Sequence, residues 1–514
     1  MKTVHFSILA LFAITLLGGC ATIQGARDEA SPLQTTQGDP YMGDWEGTWG
    51  STKVCAQVIP LANKAYRMNV LSAFDTPDAT LAVLEGKAVK GGVDFTGTGV
   101  AGDMKEAHIA AAIRGKKMTG RVEGPVSGEL DLHHVVRLSP TLGARPPRDA
   151  IVLFDGDNLD LWEARVVDPW GINIKKALGG ENRVAYLRTW VWAPAPGKAQ
   201  FAYGVDDGAT VWLNGTQVHS VIEDRKVTPC RHKVAVDLAE GWNHFLVKVA
   251  QNDKDWGFTA KLRGLDASPL AEFFVGIPEK EAYPLEAFDG NVALWEASPA
   301  YTREGKTGAD LMDVAFAPEQ GLATEWKPVP LPERTEPGPA NWLILGNGAM
   351  EVRGGSIQTR QKYVDQQLHV EFRTPFMADQ DGQKRGNSGV FLQNRYEVQI
   401  LDSYGLAGAD NECGGIYKTA VPRVNMCAPP LQWQTYDITF HAARYNADWE
   451  KIKDAAITVV HNGVTVHENQ PIPDKTTGSQ VTAMSEPDAL SLQDHGNPVW
   501  FRNIWLIELP AEEK

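Results

Sequence analysis

The chain has 514 residues, 43% of them hydrophobic, a formal net charge of −15 and a pI near 5.3. That length exceeds what one hydrophobic core organises and sets an expectation of about three domains. The acidic balance speaks against nucleic acid or an anionic membrane surface as partner, because both require a basic face, and a neutral ligand suits it better.

At the N-terminus, Lys2 precedes an apolar run from Phe6 to Leu17 that closes on Leu17-Gly18-Gly19-Cys20. This pattern reads as a lipoprotein signal peptide over residues 1–19 with a lipobox-like cleavage site. The run is shorter than the roughly 18 to 20 residues that span a bilayer. Cys20 is then the lipidated first residue of the mature chain, held by more than one acyl chain. Residues 20–39, rich in Gly, Thr, Gln and Asp, read as a solvated tether. The expected location is that of an exported, membrane-anchored lipoprotein, periplasmic or at the cell surface.

Residues 40–140 alternate in short segments such as Ala65 to Leu71, Thr80 to Leu84 and Leu130 to Leu138, the pattern of a small β barrel or sandwich. Gly97-Thr98-Gly99-Val100-Ala101-Gly102 matches GxGxxG, but β-like alternation follows it instead of a second βαβ half, so ordinary turn glycines explain it better than a dinucleotide site. Ser139 to Arg148, with three prolines, is a linker.

A second β domain is expected over residues 150–270. In its YLRTWVWAP, FAYGVDDGATVWLNGTQVH and GWNHFLVKV segments, Val211 to Leu213 reads as a strand and Asn214-Gly215 as a type I′ hairpin turn. These segments resemble a galactose-binding-like β-sandwich. Asp206 and Asp207 fit a turn better than a calcium site, and Trp212, His219, Arg225 and Trp256 are the candidates for a sugar patch. Phe154-Asp155-Gly156 followed by Leu161-Trp162-Glu163-Ala164 recurs as Phe288-Asp289-Gly290 followed by Leu294-Trp295-Glu296-Ala297. Either copy could open the C-terminal domain. Sequential modules have the shorter connections and are the favoured arrangement over an insertion.

The last domain, expected over residues 285–511, carries polar residues inside strand-like runs. In Tyr396 to Leu401 a period of two puts Tyr396, Val398 and Ile400 on one face and Glu397 and Gln399 on the other. In the final strand Arg502 is embedded among large apolar groups and needs a partner or a ligand. Cys413 and Cys427 bracket a short loop in an exported chain and are the favoured disulfide, whose closure would stabilise by roughly 3 kcal/mol. Cys55 and Cys230 stay open. Sixteen Trp residues are compatible with sugar recognition, although core packing accounts for most of them.

The ordered motifs GNSGVFLQNRYEVQILDSYG, CGGIYK, PPLQWQTYDITF, VHNGVTVHEN and LQDHGNPVWFRNIW make this region resemble the 3-keto-disaccharide hydrolase family. The resemblance implies a concanavalin-like jelly-roll sandwich, in an otherwise all-β chain, that acts on a glycoside oxidised to a ketone at C3. Such a ketone acidifies the C2 hydrogen, so a base can form an enolate that expels the aglycone from C1, and water can then add. That chemistry needs a general base, a leaving-group acid and a group that holds enolate charge.

Glu397, Gln399, Asp402, His495 and Arg502 are the expected catalytic set, and Asn387, Ser388, Tyr417, Lys418, Asp494 and Asn503 the expected substrate contacts. A divalent metal is possible, with Glu397, His495 and Asp402 as its ligands. Whether the end product is that of a hydrolase or a lyase stays open, as do the aglycone and the oligomeric state. Two other readings stand beside this one: a non-catalytic glycan-binding lipoprotein, and a retaining glycosidase of concanavalin-like fold. The latter wants two carboxyls about 5 to 5.5 Å apart, and Gln399 stands where a nearby partner of Glu397 would be.

Overall fold

The computed structural model describes residues 38–510 except 167–170, 224–226, 254, 267, 289, 323–324, 331–336, 447–449 and 480–486. Nearly all of its regular structure is β. The first unit is a closed barrel of eight antiparallel strands, each paired with the next in sequence and the first with the last, between Gly43–Trp49 and Gly128–Val135. Alternate residues such as Trp45, Val54, Ala56, Val58, Met68 and Val70 fill its interior. Gly97 and Gly99 lie inside the Gly92–Gly99 strand, and a Cβ on Gly99 would lie 1.6 Å from the Met104 carbonyl oxygen. Close backbone approach accounts for this glycine.

The second unit packs a four-stranded sheet against a larger one around Leu187, Val191, Phe201, Val211, Phe245, Val247, Trp256 and Trp295. Gly208–Leu213 and Thr216–Ile222 are joined by Asn214 and Gly215, both with positive φ (50° and 83°), the geometry of the expected I′ turn. Asp207 accepts the Asn252 amide at 2.6 Å, in keeping with a structural role for that turn.

The third unit is a sandwich of two antiparallel sheets. One has five strands in the order Trp162–Ala164, Ile357–Tyr363, Asp488–Leu492, Ser388–Leu392, Tyr396–Ile400. The other is built around Trp500–Glu508, Gln366–Arg373, Gln434–His441 and Ala455–His461. Tyr396, Val398, Ile400, Leu490 and Leu492 from the first sheet meet Leu368, Val370, Phe372, Phe501 and Ile504 from the second in one core.

This topology corrects the expected module order. Ile151–Phe154 pairs with Trp500–Glu508 and Trp162–Ala164 with Ile357–Tyr363, so the first Phe-Asp-Gly copy belongs to the sandwich. Trp162 is wholly buried there and donates to the Leu153 carbonyl at 2.8 Å. The second copy packs into the middle unit through Leu285, Val292, Leu294 and Trp295. The middle unit is therefore an insertion, and neither 150–270 nor 285–511 bounds a module. The chain leaves the sandwich after Ala164 and returns at Gly338, whose carbonyl accepts the Ala164 N–H at 2.8 Å. Burial of the Trp162 edge strand against the sandwich core outweighs the advantage of shorter connections.

The expected disulfide is also corrected. Cys413 and Cys427 are free buried thiols. Cys413 Sγ lies 3.2 Å from the Tyr436 hydroxyl and Cys427 Sγ donates toward the Leu401 carbonyl at 3.4 Å, so each sulfur has its own hydrogen-bond partner.

Because the two ends of the insertion meet, replacing residues 167–336 by a short Gly/Ser linker should leave barrel and sandwich folded. Near-UV circular dichroism and a cooperative melt of the shortened chain check this. Loss of both would mean that the sandwich needs the module in order to fold.

Candidate active site on the five-stranded sheet

Since Tyr396, Val398 and Ile400 point into the core, the intervening Glu397 and Gln399 stand on the outer face of the five-stranded sheet. Glu397 is only 2% exposed. Its backbone is fixed on both sides: its N–H donates to Thr476 Oγ1 at 3.1 Å and its carbonyl accepts from the Tyr417 N–H at 3.1 Å. Gly414 and Gly415 extend this pairing to Gln399 and cover what would be an open sheet edge. The carboxylate lies over Gly389, where a Cβ would come within 2.5 Å of Glu397 Oε1, so glycine opens its seat.

Among the described residues no hydrogen bond reaches the Glu397 carboxylate. Burial pushes its pKa up to about 8, and the Arg165 cation opposes the shift. The Arg165 guanidinium stands 4.9 Å from the centre of the Phe391 ring, and Phe391 is the cross-strand neighbour of Glu397. Burial pulls Arg165 down to about 10 while Asp488 and Glu397 pull it up, and its Nη2 is buried without a hydrogen-bond partner. Gln399 Nε2 donates to Gln383 Oε1 and Asn387 Oδ1, each at 3.2 Å, while its Oε1 is left unpaired. A carboxyl, a guanidinium and an unpaired amide oxygen thus share one face. Such an arrangement can move a proton beside a developing negative charge.

The other expected residues divide. Asn387 and Ser388 are at this site but act as scaffold. Asn387 donates to the Gln383 carbonyl and its N–H to Asn497 Oδ1, and Ser388 donates to the Gln493 carbonyl. Asp494 accepts the Gly355 and Gly496 N–H groups and shapes the loop that carries His495, which is exposed at the rim with no hydrogen bond. Tyr417 contributes its backbone, and the exposed Lys418 pairs with Asp410 at 3.3 Å.

Asp402 does not join Glu397. It is bound to Arg385 Nε at 2.6 Å, fully buried. Arg502 and Asn503 are on the outer face of the other sheet, separated from Glu397 by the sandwich core. Arg502 pairs with Glu371 at 2.7 Å and lies over the Trp433 ring, and Asn503 donates to Glu371 Oε1 and the Ala144 carbonyl. The proposed metal set of Glu397, His495 and Asp402 is not assembled, and no group of three His, Cys, Asp or Glu side chains able to hold a metal forms among the described residues.

In the inserted module, Trp256 is core and His219 bonds the Tyr203 hydroxyl at 2.6 Å, while Trp212 packs beside Tyr186 on the other face of its sheet. They form no single patch, and Arg225 lies outside the described residues.

Arg165 was missed by sequence reasoning, yet one signal was present. The first copy of the repeat ends Trp-Glu-Ala-Arg and the second Trp-Glu-Ala-Ser. Ser298 is a buried linchpin that accepts the Tyr186 N–H and donates to the Pro299 carbonyl, whereas Arg165 projects over the site.

Residues 287–507 match the model of the 3-keto-alpha-glucoside-1,2-lyase-like domain. No curated protein matches the chain. Among solved structures, a putative glycosyl hydrolase from Parabacteroides distasonis ATCC 8503 is 35% identical over 34% of this chain and 78% of its own, with a TM-score of 0.31. Another from the same organism is 18% identical over 33% and 85%, with a TM-score of 0.25. A lectin from Pleurotus ostreatus is 12% identical over 67% and 100%, with a TM-score of 0.20. The family match starts at the second Phe-Asp-Gly copy and runs through the Glu397 strand to the last strand of the sandwich. Through this C-terminal region, the chain belongs to the 3-keto-alpha-glucoside-1,2-lyase-like family.

Proposed function

We propose that the sandwich cleaves 3-keto-glycosides by elimination at C1–C2 followed by hydration. The observation that carries this reading is the buried Glu397 carboxyl, free of hydrogen bonds among the described residues, beside the Arg165 guanidinium, whose buried Nη2 has no hydrogen-bond partner among them. Ionised Glu397 removes the C2 proton, and the electron pair moves into an enolate whose oxygen at C3 faces Arg165. The enolate re-forms the ketone by breaking the C1–O bond, and the aglycone leaves with a proton. Water then adds its hydroxyl to C1 and a proton to C2, so that the sum is hydrolysis. In this reading His495, exposed on the loop after Leu492, protonates the leaving group.

Scatter of Glu397, His495 and Arg502 would favour a glycan binder over an enzyme, and Arg502 does stand apart, paired with Glu371 on the other sheet. Arg165 supplies the cation in its place and keeps the catalytic reading ahead.

With a 3-keto-glucoside as substrate, Glu397→Gln and Arg165→Gln should each lower kcat/KM by about 10²-fold or more, the scale for a positioned base or charge stabiliser. Reaction in D₂O should leave deuterium at C2 of the released sugar. Equal cleavage of unoxidised glycosides, or product without deuterium, returns the choice to an ordinary glycosidase.

The raised pKa of Glu397 gives a pH signature. As the base must be ionised, kcat/KM should rise with pH and level off above about 8. The folded protein holds this proton to about pH 8, while an unperturbed Glu releases it near 4.5. Between those values the folded state binds more protons than the unfolded chain. The stability contributed by this group is therefore complete below the lower value and is lost as pH rises through the upper one. Glu397→Gln should be more thermostable than the parent, with the difference in Tm widening from about pH 5 to about pH 8. A constant difference across that range would mean that Glu397 is not held protonated.

Cys20 lies outside the described residues. On its lipobox-like motif we further propose an exported lipoprotein held to a membrane by acyl chains on Cys20. Cys20→Ser should shift the protein from the detergent phase to the aqueous phase or leave uncleaved precursor. Unchanged partitioning would refute the anchor.

A further inference from the structure

Across the outer face of the five-stranded sheet, Glu397, Phe391, Ser491, Gln358 and Glu163 stand opposite one another in a single row, one from each strand. Neighbours in such a row have Cβ atoms about 4.5 to 5.5 Å apart. Two members of the row, Gln358 and Glu163, are satisfied. Gln358 Nε2 donates to Glu163 Oε1 at 3.0 Å and its Oε1 accepts from Asn394 Nδ2 at 3.2 Å. Glu163 also pairs with Arg360.

Ser491 differs. It is wholly buried and its hydroxyl has no hydrogen-bond partner. Linked to its cross-strand neighbour Gln358 through Asn394 Nδ2, Asn394 Oδ1 and Asp488 Oδ2 are likewise buried without a hydrogen bond, although Asp488 Oδ2 is 3.9 Å from Arg395 Nη2. Buried polar oxygens without a hydrogen-bond donor are costly unless a ligand with hydroxyl groups completes them.

The place of Ser491 in the row says which hydroxyl. The Arg165 guanidinium lies 4.9 Å from the centre of the Phe391 ring, and Phe391 stands between Glu397 and Ser491 in the row. With C2 at Glu397 and the C3 oxygen at Arg165, the next ring carbon across the sheet is C4. We propose that Ser491 reads the hydroxyl at C4 of the oxidised ring and is a specificity-determining residue of this site, with Asn394 and Asp488 accepting from neighbouring hydroxyls. The inference rests on the reaction proposed above, because that reaction sets C3 at Arg165.

The test uses the full-length Glu397→Gln protein, which retains the binding face, and measures Kd calorimetrically for methyl 3-keto-glucoside and its 4-deoxy analogue. The 4-deoxy compound should bind roughly 5- to 10-fold more weakly, the scale of one hydrogen bond. Adding Ser491→Ala should bring the ratio close to one. Equal binding of the two compounds by Glu397→Gln, or a ratio unchanged in the double variant, overturns the role of Ser491. If the ratio behaves as expected but the parent enzyme releases no product from either compound, the elimination reaction is wrong and the C4 contact stands. Failure of both compounds to bind overturns both. Ser491→Ala alone should melt no lower than the parent, since it removes an unpaired hydroxyl, and a lower Tm with an unchanged ratio would mark Ser491 as structural.

Discussion

A carboxyl group buried without a hydrogen-bond partner is the constraint on which the site turns. Taking an ionised carboxylate out of water costs several kcal/mol unless a charge or donors replace the lost hydration. The sandwich holds Glu397 in that condition by ordinary means. Period-two alternation aims it away from the core, Gly389 leaves room for it, and the bonds of its N–H to the Thr476 hydroxyl and of its carbonyl to the Tyr417 N–H prevent its strand from shifting to relieve the cost. What remains is a proton held to about pH 8 and a guanidinium held just as bare.

The opposite sheet shows what the same residue types do when they are paired. On its outer face His369, Glu371, Asp437, Arg502 and Asn503 bind one another, and the linker after the barrel closes over them. Gly143 N–H donates to Glu371, and Thr141 donates to Asp437 at 2.6 Å. Burial alone would raise the pKa of Glu371, yet hydrogen bonds from His369, Asn503, Gly143 and Arg502 outweigh it and bring the group down to about 2. Glu371 and Glu397 are both buried, on opposite outer faces of one sandwich, and are shifted in opposite directions. Pairing fastens the linker to the sheet, and the lack of pairing leaves a carboxyl that holds its proton.

This contrast explains how far the site was legible. Glu397 and Gln399 could be read because alternation within one short strand tells inside from outside. Arg502 was read correctly as a cation needing a partner, but alternation cannot say which sheet a strand joins, so its assignment to the Glu397 face failed. Asp402 failed for a related reason: the bend after Ile400 turns it onto Arg385, a contact set by tertiary packing. Cys413 and Cys427 are close in sequence and in space, but spacing carries no information about the hydrogen bonds that Tyr436 and Leu401 make to the two sulfurs.

Arg165 was hidden by the largest gap of all, since the inserted module separates it from every other residue of the site. Its position is nonetheless secured locally. Trp162–Ala164 is held by pairing with Ile357–Tyr363, and the Arg165 N–H donates to the Ser356 carbonyl at 2.8 Å. The insertion begins only after that bond is made and ends at the Gly338 carbonyl bound to Ala164. An edge strand closed at this point isolates the guanidinium from whatever the module does beyond it. A module of some 170 residues can therefore be accommodated between Arg165 and Glu397 without loosening either, because loop-closure entropy grows only slowly with length once the ends are fixed.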